Sequence, residues 1–154
     1  RLVIHLPDTM QTGFEMSKYL DNRWNIAVEM ADLTNIVCIA GKGNTREDFV
    51  QLARGLRAFS KKTAPLQRAL PAFPMESKQA ISPSAAFWSK SCFVPLEQAV
   101  GSICVSPVVS YPPGVGVILP GEQITQQQIS YLLAISQAGG SVIGLTDGKI
   151  EVTV

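Results

Sequence analysis

The sequence predicts an α+β protein made of a β-α-β-β-α small-sheet subdomain followed by a second mixed α+β subdomain. Three observations predict this class. Residues 1–62 alternate between apolar patterns typical of strands and of helices. Prolines interrupt every period over residues 63–82, and residues 83–154 resume with short apolar runs around one helical stripe. We therefore expect domains over 1–62 and 83–154, joined by a linker over 63–82.

The elements of the first region follow from apolar spacing and capping residues. Thr12 lies three residues before Glu15, which is the capping-box spacing at a helix start. The continuous apolar run over 36–40 is typical of a strand covered on both faces. The predicted elements are a strand over 2–6, a helix over 13–22 that buries Phe14, Met16, Tyr19 and Leu20, a half-buried strand over 25–30, a strand over 36–40 and a helix over 46–61.

The elements of the second region are bounded by glycines and prolines. Gly139 and Gly140 end a helical stripe of apolar residues. Asp147-Gly148 stands between two apolar runs and predicts a hairpin. The predicted elements are helical turns over 85–91 and 96–100, a strand near 102–109, a turn over 111–114, a strand over 115–119, a helix over 125–138, and strands over 141–145 and 150–154.

Composition and charge exclude several classes of function. The chain has 154 residues, 46% of them hydrophobic, with 13 Lys+Arg against 12 Asp+Glu. A protein that binds nucleic acid or a membrane surface needs a cationic excess, which this chain lacks. No apolar run approaches the roughly 20 residues that span a bilayer, and the start has no signal-peptide pattern. We expect a cytoplasmic globular protein without a nucleic-acid or membrane partner.

Few residues in the sequence carry catalytic potential. Cys38, Cys92 and Cys104 have no metal-ligand spacing and are interpreted as buried reduced thiols, with disulfide or metal roles as the alternatives. The single histidine, His5, is interpreted as structural, because no partner base or ligand can be identified. The sequence contains no Ser-His-Asp set and no metal-ligand cluster. The chain by itself is therefore not expected to be a complete catalyst.

Two further patterns have a structural and a functional interpretation. Residues 41–45 place glycines before a helix, as an anion-binding loop does. They lack the P-loop spacing, which favours an ordinary turn. Glu29 and Asp32 are interpreted as solvated charges, with a general acid–base pair as the alternative.

Glu122 is the carboxylate with the clearest functional potential. Pro120-Gly121 predicts a turn that places it at the start of a helix, where the macrodipole stabilises a negative charge. Helix capping is one interpretation. The other is a fixed anion that pairs with an ammonium or guanidinium group and selects it over neutral analogues.

A series of short motifs runs through the chain in order. They are Gly13, Glu29, Asp32, Asn35 and Thr45-x-Glu47-Asp48 in the first region, then Ala86-Phe87, Val94–Gly101, Tyr111–Gly114 and Pro120–Ile124. This series resembles the Orn/Lys/Arg decarboxylases, which are pyridoxal-phosphate enzymes of the aspartate-aminotransferase fold, over nearly the whole chain. It departs from them at Val115-Gly116, where the family more often has an aliphatic residue and a proline.

The resemblance implies a binding site and a missing part. In the family the P-G-E glutamate helps to receive the distal cationic group of the substrate, which agrees with the second interpretation of Glu122, and we expect Tyr111 to bind substrate as well. The family's Schiff-base lysine lies in a Ser-x-His-Lys motif, whereas His5 is followed by Leu6. We therefore expect pyridoxal phosphate to be bound by a large domain that precedes Arg1 in a parent protein, and not by this chain.

The function that the resemblance implies belongs to that parent. It is decarboxylation of arginine, lysine or ornithine to the corresponding amine, a type of reaction used in polyamine biosynthesis. This chain would supply substrate-pocket walls and assembly surfaces, and would be inactive alone. The implied partners are the basic amino acid, the rest of the parent chain and further copies in a homo-oligomer. The alternative is a non-catalytic ligand-binding or oligomerisation module derived from the same fold.

Overall fold

A computed structural model describes residues 1–7, 11–62, 71–75, 77–111 and 114–154. The chain divides into two compact units, Arg1–Leu70 and Pro71–Val154. Within the described ranges the units contain four α-helices and four small sheets, which confirms the predicted α+β class.

The first unit has the predicted β-α-β-β-α order. Its elements are β1 (Leu2–His5), α1 (Gly13–Trp24), β2 (Met30–Ala31), β3 (Asn35–Cys38) and α2 (Arg46–Lys62). The strand β3 is central and pairs antiparallel with β1 on one side and β2 on the other. The apolar core joins both helices to this sheet; its buried members are Leu6, Met16, Leu20, Ala31, Ile36, Cys38 and Phe59.

The capping box predicted for α1 is present. The Thr12 hydroxyl accepts from the Glu15 amide at 3.3 Å, and the Glu15 carboxylate accepts from the Thr12 amide at 2.8 Å. The helix buries Met16 and Leu20 fully, whereas Phe14 and Tyr19 are partly buried. The two hydrogen bonds of the capping box satisfy amides that have no intrahelical partner in the first turn of the helix.

The strand predicted over 25–30 is shorter in the structure. The alternating burial predicted over 25–30 is present, but pairing begins only at Met30. Asn25 has a left-handed φ of 53°, and the Ile26 amide still donates to Leu20 at 3.2 Å, so the chain is completing the end of α1 there. It reaches β3 only where the Glu29 amide donates to Val37, at 2.8 Å.

The expectation that β3 is covered on both faces is wrong within this unit. Ile36 and Cys38 belong to the core, but Val37 lies on the opposite face of the strand and is only partly buried. Its partner across the ladder, Val3, is 68% exposed. The apolar run therefore alternates as a strand with one buried face does, because both α1 and α2 contribute to the same core.

The second unit consists of short strands around one long helix. Its elements are β4 (Lys78–Gln79), α3 (Pro83–Phe87), β5 (Ser91–Pro95), a 3₁₀ turn (Leu96–Gln98), β6 (Val108–Tyr111), β7 (Val115–Ile118), β8 (Glu122–Gln123), α4 (Gln126–Gln137), β9 (Ser141–Ile143) and β10 (Lys149–Thr153). They form the sheets β7-β6-β9, β10-β5 and β4-β8, with every pair antiparallel. The helical turn at 96–100, the strand at 115–119 and the helix at 125–138 are confirmed. The turn predicted over 85–91 is α3, which begins earlier and ends at Phe87, and Ser91 already belongs to β5, a strand that the sequence does not predict.

The strand predicted near 102–109 is shorter than expected. Ile103 and Cys104 form only isolated bridges, to Gln123 and Val152, and regular pairing begins at Val108. In the turn predicted over 111–114, Pro112 and Pro113 lie outside the described residues. Gly114 has a φ of 98°, as that turn requires, and its amide donates to Ser110 at 2.8 Å.

The predicted hairpin forms its turn but not its ladder. Asp147 and Gly148 have φ values of 49° and 72°, as a two-residue hairpin turn needs, and Thr146 and Lys149 exchange two backbone hydrogen bonds of 2.9 Å. The strands on either side then separate, because β9 pairs with β6 whereas β10 pairs with β5. Gly144, at a φ of 100°, packs tightly against the backbone of Pro107 and turns the chain after β9.

The stretch 63–82 that was predicted as a linker includes β4. Residues 63–70 and Glu76 of this stretch lie outside the described residues. Lys78 and Gln79 pair with Gln123 and Glu122 of β8 and so belong to the second unit. The domain limits at 62 and 83 stay predictions.

Candidate functional site

The candidate site lies around Glu122 in the second unit. Glu122 is only 5% exposed, although it is a carboxylate at the end of a proline-glycine turn. Its Oε2 accepts from the Leu119 amide at 3.0 Å and from the Gln128 side-chain amide at 3.4 Å. The Glu122 amide donates back to the Leu119 carbonyl at 3.1 Å. Leu119 and Glu122 are therefore joined by one side-chain and one backbone hydrogen bond, which together hold the 119–122 turn.

Gly121 allows the turn to pack against the segment of β4. Its φ is 83°, in the left-handed region that favours glycine. A Cβ at this position would overlap the Ile81 carbonyl and the Gln79 side chain. Gln79 donates to the Pro120 carbonyl at 3.1 Å, and the Ala80 amide donates to Gly121 at 2.9 Å. The position of Glu122 is thus fixed by a segment that lies much earlier in the chain, since Gln79 precedes Pro120 by 41 positions.

Gln128 connects this carboxylate to the start of α4. It is fully buried, and its side-chain nitrogen donates to the Val117 carbonyl at 2.9 Å as well as to Glu122. Its side-chain oxygen accepts from the Thr125 amide at 2.9 Å and from the Thr125 hydroxyl at 3.1 Å. The Thr125 hydroxyl in turn accepts from the Gln128 amide, which completes a capping box.

The contacts of Glu122 bear on its capping interpretation. Among the described residues it accepts no hydrogen bond from the amides of α4, which are capped by Thr125 and Gln128. Glu122 therefore does not cap α4 through a hydrogen bond, and its role in binding a cation stays a prediction. Gln128 is not among the predicted site residues, although the Thr125-x-x-Gln128 spacing is itself a capping signal.

The surroundings of Glu122 are poorly solvated. Burial raises the pKa of the neighbouring Cys104 thiol to about 12, and the charges of Glu122 and Glu151 add to that rise, while a hydrogen bond to Ser106 opposes it. The Cys104 amide also donates to the Glu122 carbonyl at 2.9 Å. A negative charge in such an environment is poorly screened, so a cation placed beside it would be bound strongly.

Tyr111, the second predicted substrate-binding residue, occupies a different part of the unit. It ends β6, where it faces Ser141 across the ladder, and it is 51% exposed. Within the described part of the chain no hydrogen bond joins it to Glu122. No hydrogen bond therefore links the two predicted residues, and their shared role in binding stays a prediction.

The remaining polar candidates have structural contacts. His5 Nδ1 lies 3.0 Å from the Asn35 side-chain oxygen, a contact across the β1–β3 ladder. Asp32 accepts from the Thr34 amide at 2.7 Å and from the Asn35 amide at 2.6 Å, so its carboxylate holds the turn into β3. Glu29 is exposed. The structural interpretation of His5 agrees with its contact. Asp32 differs from the solvated charge that the sequence predicts, because it is half-buried and its carboxylate accepts from Thr34 and Asn35.

Several amides of the loop over 41–45 are bonded within the loop and to the start of α2. Gly41 donates to the Asn44 side chain at 2.7 Å, and Thr45 donates to the Asp48 carboxylate at 2.7 Å. The Thr45 amide is the main cause that lowers the pKa of Asp48, and the Asn44 side chain adds to it. These contacts within the loop agree with the ordinary-turn interpretation, which stays a prediction.

The cysteines differ in burial. Cys38 and Cys104 are buried as predicted, but Cys92 is exposed, which corrects the prediction for that residue. It lies on β5, whose first three residues are exposed. Burial also raises the pKa of Cys38. In the described ranges no group of three or more His, Cys, Asp and Glu side chains is arranged to hold a metal ion.

The described residues do not fit pyridoxal phosphate. An aldimine-forming lysine needs a desolvated or otherwise perturbed ammonium group in a pocket. The lysines whose side chains are described are all exposed; they are Lys18, Lys42, Lys61, Lys78, Lys90 and Lys149.

No helix in the described part of the chain has the length and apolarity needed to cross a membrane.

Comparison with known proteins places this arrangement in a class. Residues 60–147 match the family described as Orn/Lys/Arg decarboxylase, C-terminal domain. The arginine decarboxylase of Bacillus subtilis (strain 168) is 32% identical over 155 residues, which cover 98% of this chain and 32% of that protein. The arginine decarboxylase of Bacillus anthracis is 32% identical over 158 residues, which cover 98% of this chain and 31% of that protein. The constitutive lysine decarboxylase of E. coli superimposes with a TM-score of 0.68 at 20% identity, over 99% of this chain and 31% of that one.

The fold is thus the α+β region found in a lysine decarboxylase, with a buried carboxylate on its proline-glycine turn. The chain belongs to the Orn/Lys/Arg decarboxylase family, as the motif series predicted. It spans about a third of the length of the curated relatives that it matches.

Proposed function

We propose that this chain is the C-terminal portion of a pyridoxal-phosphate-dependent decarboxylase of arginine, lysine or ornithine, in which it forms part of the substrate pocket. The observation that carries the proposal is the burial of Glu122 together with its hydrogen-bond partners. Glu122 is a carboxylate at 5% exposure whose described contacts include no lysine or arginine.

A buried carboxylate without a cation is expensive to keep ionised. Two hydrogen bonds offset part of the desolvation cost, but a positive partner is what normally makes such a charge stable. The distal ammonium or guanidinium group of a basic amino acid provides that partner. A neutral analogue of the same shape would leave the carboxylate unpaired, so Glu122 would select for the cation.

The cofactor chemistry belongs to residues outside those described. Because the described lysines are all exposed, we propose that the Schiff-base lysine and the cofactor pocket lie in another part of the parent protein. The relatives, which are arginine and lysine decarboxylases, support a basic amino acid as substrate. We propose Tyr111 as a second pocket residue and a homo-oligomer as the working assembly, which sedimentation of the parent would test.

The test is decarboxylation of arginine, lysine and ornithine by the full-length parent with added pyridoxal phosphate. The proteins compared are the parent, this chain alone, and the parent with Glu122→Gln. We expect activity in the parent only, and a KM at least tenfold higher in the Glu122→Gln protein, since one charge pair is lost. The matched control is Glu97→Gln, which changes an exposed glutamate of the same unit and should leave KM unaltered.

Two results would contradict the proposal. A parent that binds a basic amino acid without decarboxylating it would favour the non-catalytic binding module. A Glu122→Gln protein with an unaltered KM would remove Glu122 from the pocket.

A further inference from the structure

We propose that Gln128 is a positioning residue that holds Glu122 by one oxygen and leaves the other oxygen for the ligand cation. The inference rests on the proposed function, since it assumes that Glu122 receives a cation. It adds the residue that orients the carboxylate and the atom that makes the contact.

Both donors to the carboxylate converge on the same atom. The Leu119 amide and the Gln128 side-chain amide each donate to Oε2, at 3.0 Å and 3.4 Å. Oε1 accepts from no described residue. Among the described residues, Oε1 is therefore the oxygen of this carboxylate that remains to accept from a ligand.

The orientation of the Gln128 amide is fixed by groups that cannot exchange roles. One end faces the Thr125 amide, which can only donate, and the other faces the Val117 carbonyl, which can only accept. A flipped amide would set donor against donor and acceptor against acceptor. The nitrogen must therefore point toward Val117 and Glu122, and the side chain is fully buried in this orientation.

This geometry limits how a cation can bind. A carboxylate with both oxygens free can form two parallel hydrogen bonds with a guanidinium group. Here Oε2 already accepts twice, so only Oε1 can accept from a ligand. The structure thus assigns a single N–H contact on Oε1, which an ammonium group or one N–H of a guanidinium group satisfies.

The experiment measures kcat and KM of the cofactor-loaded full-length protein for whichever of lysine, arginine and ornithine it decarboxylates fastest. The variants are Gln128→Met, which keeps the length of the side chain but removes its amide, then Glu122→Gln and the double variant. Gln127→Met is the matched control, because Gln127 is an exposed glutamine on the same helix. We expect Gln128→Met to raise KM about fivefold with kcat within about twofold, a loss of substrate binding without loss of chemistry.

The double variant separates positioning from a purely structural role. If Gln128 acts through Glu122, Gln128→Met has no further effect on KM once Glu122→Gln is present. An equal rise of KM in both backgrounds, a fall in kcat alone, or an unaltered KM would each overturn the positioning role while Glu122 keeps its own. An unaltered KM in Glu122→Gln overturns the proposed function of Glu122, and the role of Gln128 with it.

A second variant covers the case in which Gln128→Met does not fold. Gln128→Glu keeps the oxygen that caps Thr125 and replaces the donor with a carboxylate oxygen that faces Glu122. Two facing carboxylates share a proton, so we expect KM to depend on pH between about 6 and 8 more steeply than in the unaltered protein. The same pH dependence in both proteins would overturn the proposal.

Discussion

At the scale of single residues, burial separates the three thiols of the chain into one reactive group and two inert ones. Thiol reagents attack the thiolate, and burial raises the pKa of Cys38 and takes that of Cys104 to about 12, whereas Cys92 is exposed. At about pH 8 we therefore expect one thiol to react fast in the native chain and all three to react fast after denaturation. The measurement is the coloured thiolate that a chromogenic disulfide reagent releases as it reacts with each cysteine.

The control for this prediction is Cys92→Ser, which should abolish the fast reaction and leave the slow one unaltered. A second fast thiol in the native chain would show that the apolar surroundings of Cys38 or Cys104 open to solvent.

Glu151 provides a residue-scale prediction about acid. Its two oxygens accept from the hydroxyls of Ser106 and Ser91, each at 2.7 Å, and these hydrogen bonds lower the pKa of Glu151, with Ser106 the larger cause. The folded pKa lies below the unfolded one, so the stabilisation is present above the unfolded pKa and is lost as pH falls through the folded value. Since the side chain is only partly buried, the effect is about 1 kcal/mol or less.

We expect Glu151→Gln to weaken the acid dependence of stability, with Tm followed between about pH 7 and pH 3. Tm of the unaltered chain should fall more steeply below about pH 4.5 than Tm of the variant. The exposed Glu97→Gln serves as control and should follow the unaltered chain. If Glu151→Gln also follows it, the serine contacts do not stabilise the ionised carboxylate.

At the scale of elements, the packing of the 119–122 turn against β4 predicts an unequal cost of alanine at two glycines. Gly121 and Gly148 both have left-handed φ values, 83° and 72°. An alanine Cβ at Gly121 would overlap the Ile81 carbonyl, whereas at Gly148 nothing lies within 4 Å. Gly148→Ala should cost only the backbone term of about 1 kcal/mol, and Gly121→Ala about 3 kcal/mol or more.

The measurement is the free energy of unfolding from denaturant titration of the two variants. Equal losses would mean that the backbone conformation alone matters and that the strand β4 does not press on the turn. The comparison is internal, because both variants replace a glycine of the same backbone class with the same residue.

Signals confined to a few neighbouring residues were predictable from the sequence, and pairings between distant residues were not. The Thr12–Glu15 capping box and the turn at Asp147-Gly148 depend on local hydrogen bonds and local φ values, and both are present. Whether β9 and β10 pair with each other depends on distant partners, β6 and β5, which periodicity does not reveal.

The same distinction explains what was found at the candidate site. Glu122 stood out because proline and glycine precede it. Its burial and the convergence of Leu119 and Gln128 on one oxygen depend on how β7, β8 and α4 pack, and no local pattern encodes that arrangement. The prediction for Cys92 is wrong because cysteine is usually buried, whereas the first three residues of β5 are all exposed.

At the scale of the whole molecule, the division of the chain into units predicts where it can be cut. The second unit begins at Pro71 and has its own buried apolar core, which includes Val108, Ile118, Ile124, Ile129, Leu132, Ile135 and Ile150. We expect a peptide of residues 71–154 to fold alone and to unfold cooperatively on heating. The sequence-predicted limit at 83 would give a shorter peptide, 83–154, that lacks β4.

The two peptides should differ in stability, because β4 contributes to the turn that holds Glu122. Its segment supplies backbone hydrogen bonds from Ala80 and Ile81 to Gly121 and a side-chain bond from Gln79 to Pro120. At roughly 1 kcal/mol for each bond, 83–154 should be less stable than 71–154 by about 3 kcal/mol, a large share of what a domain this small can hold. Circular dichroism melting of the two peptides measures the difference, with Gly121→Ala in 71–154 as an internal comparison that disturbs the same contact. Equal melting of the two peptides would place the domain limit at 83, with β4 as part of the linker.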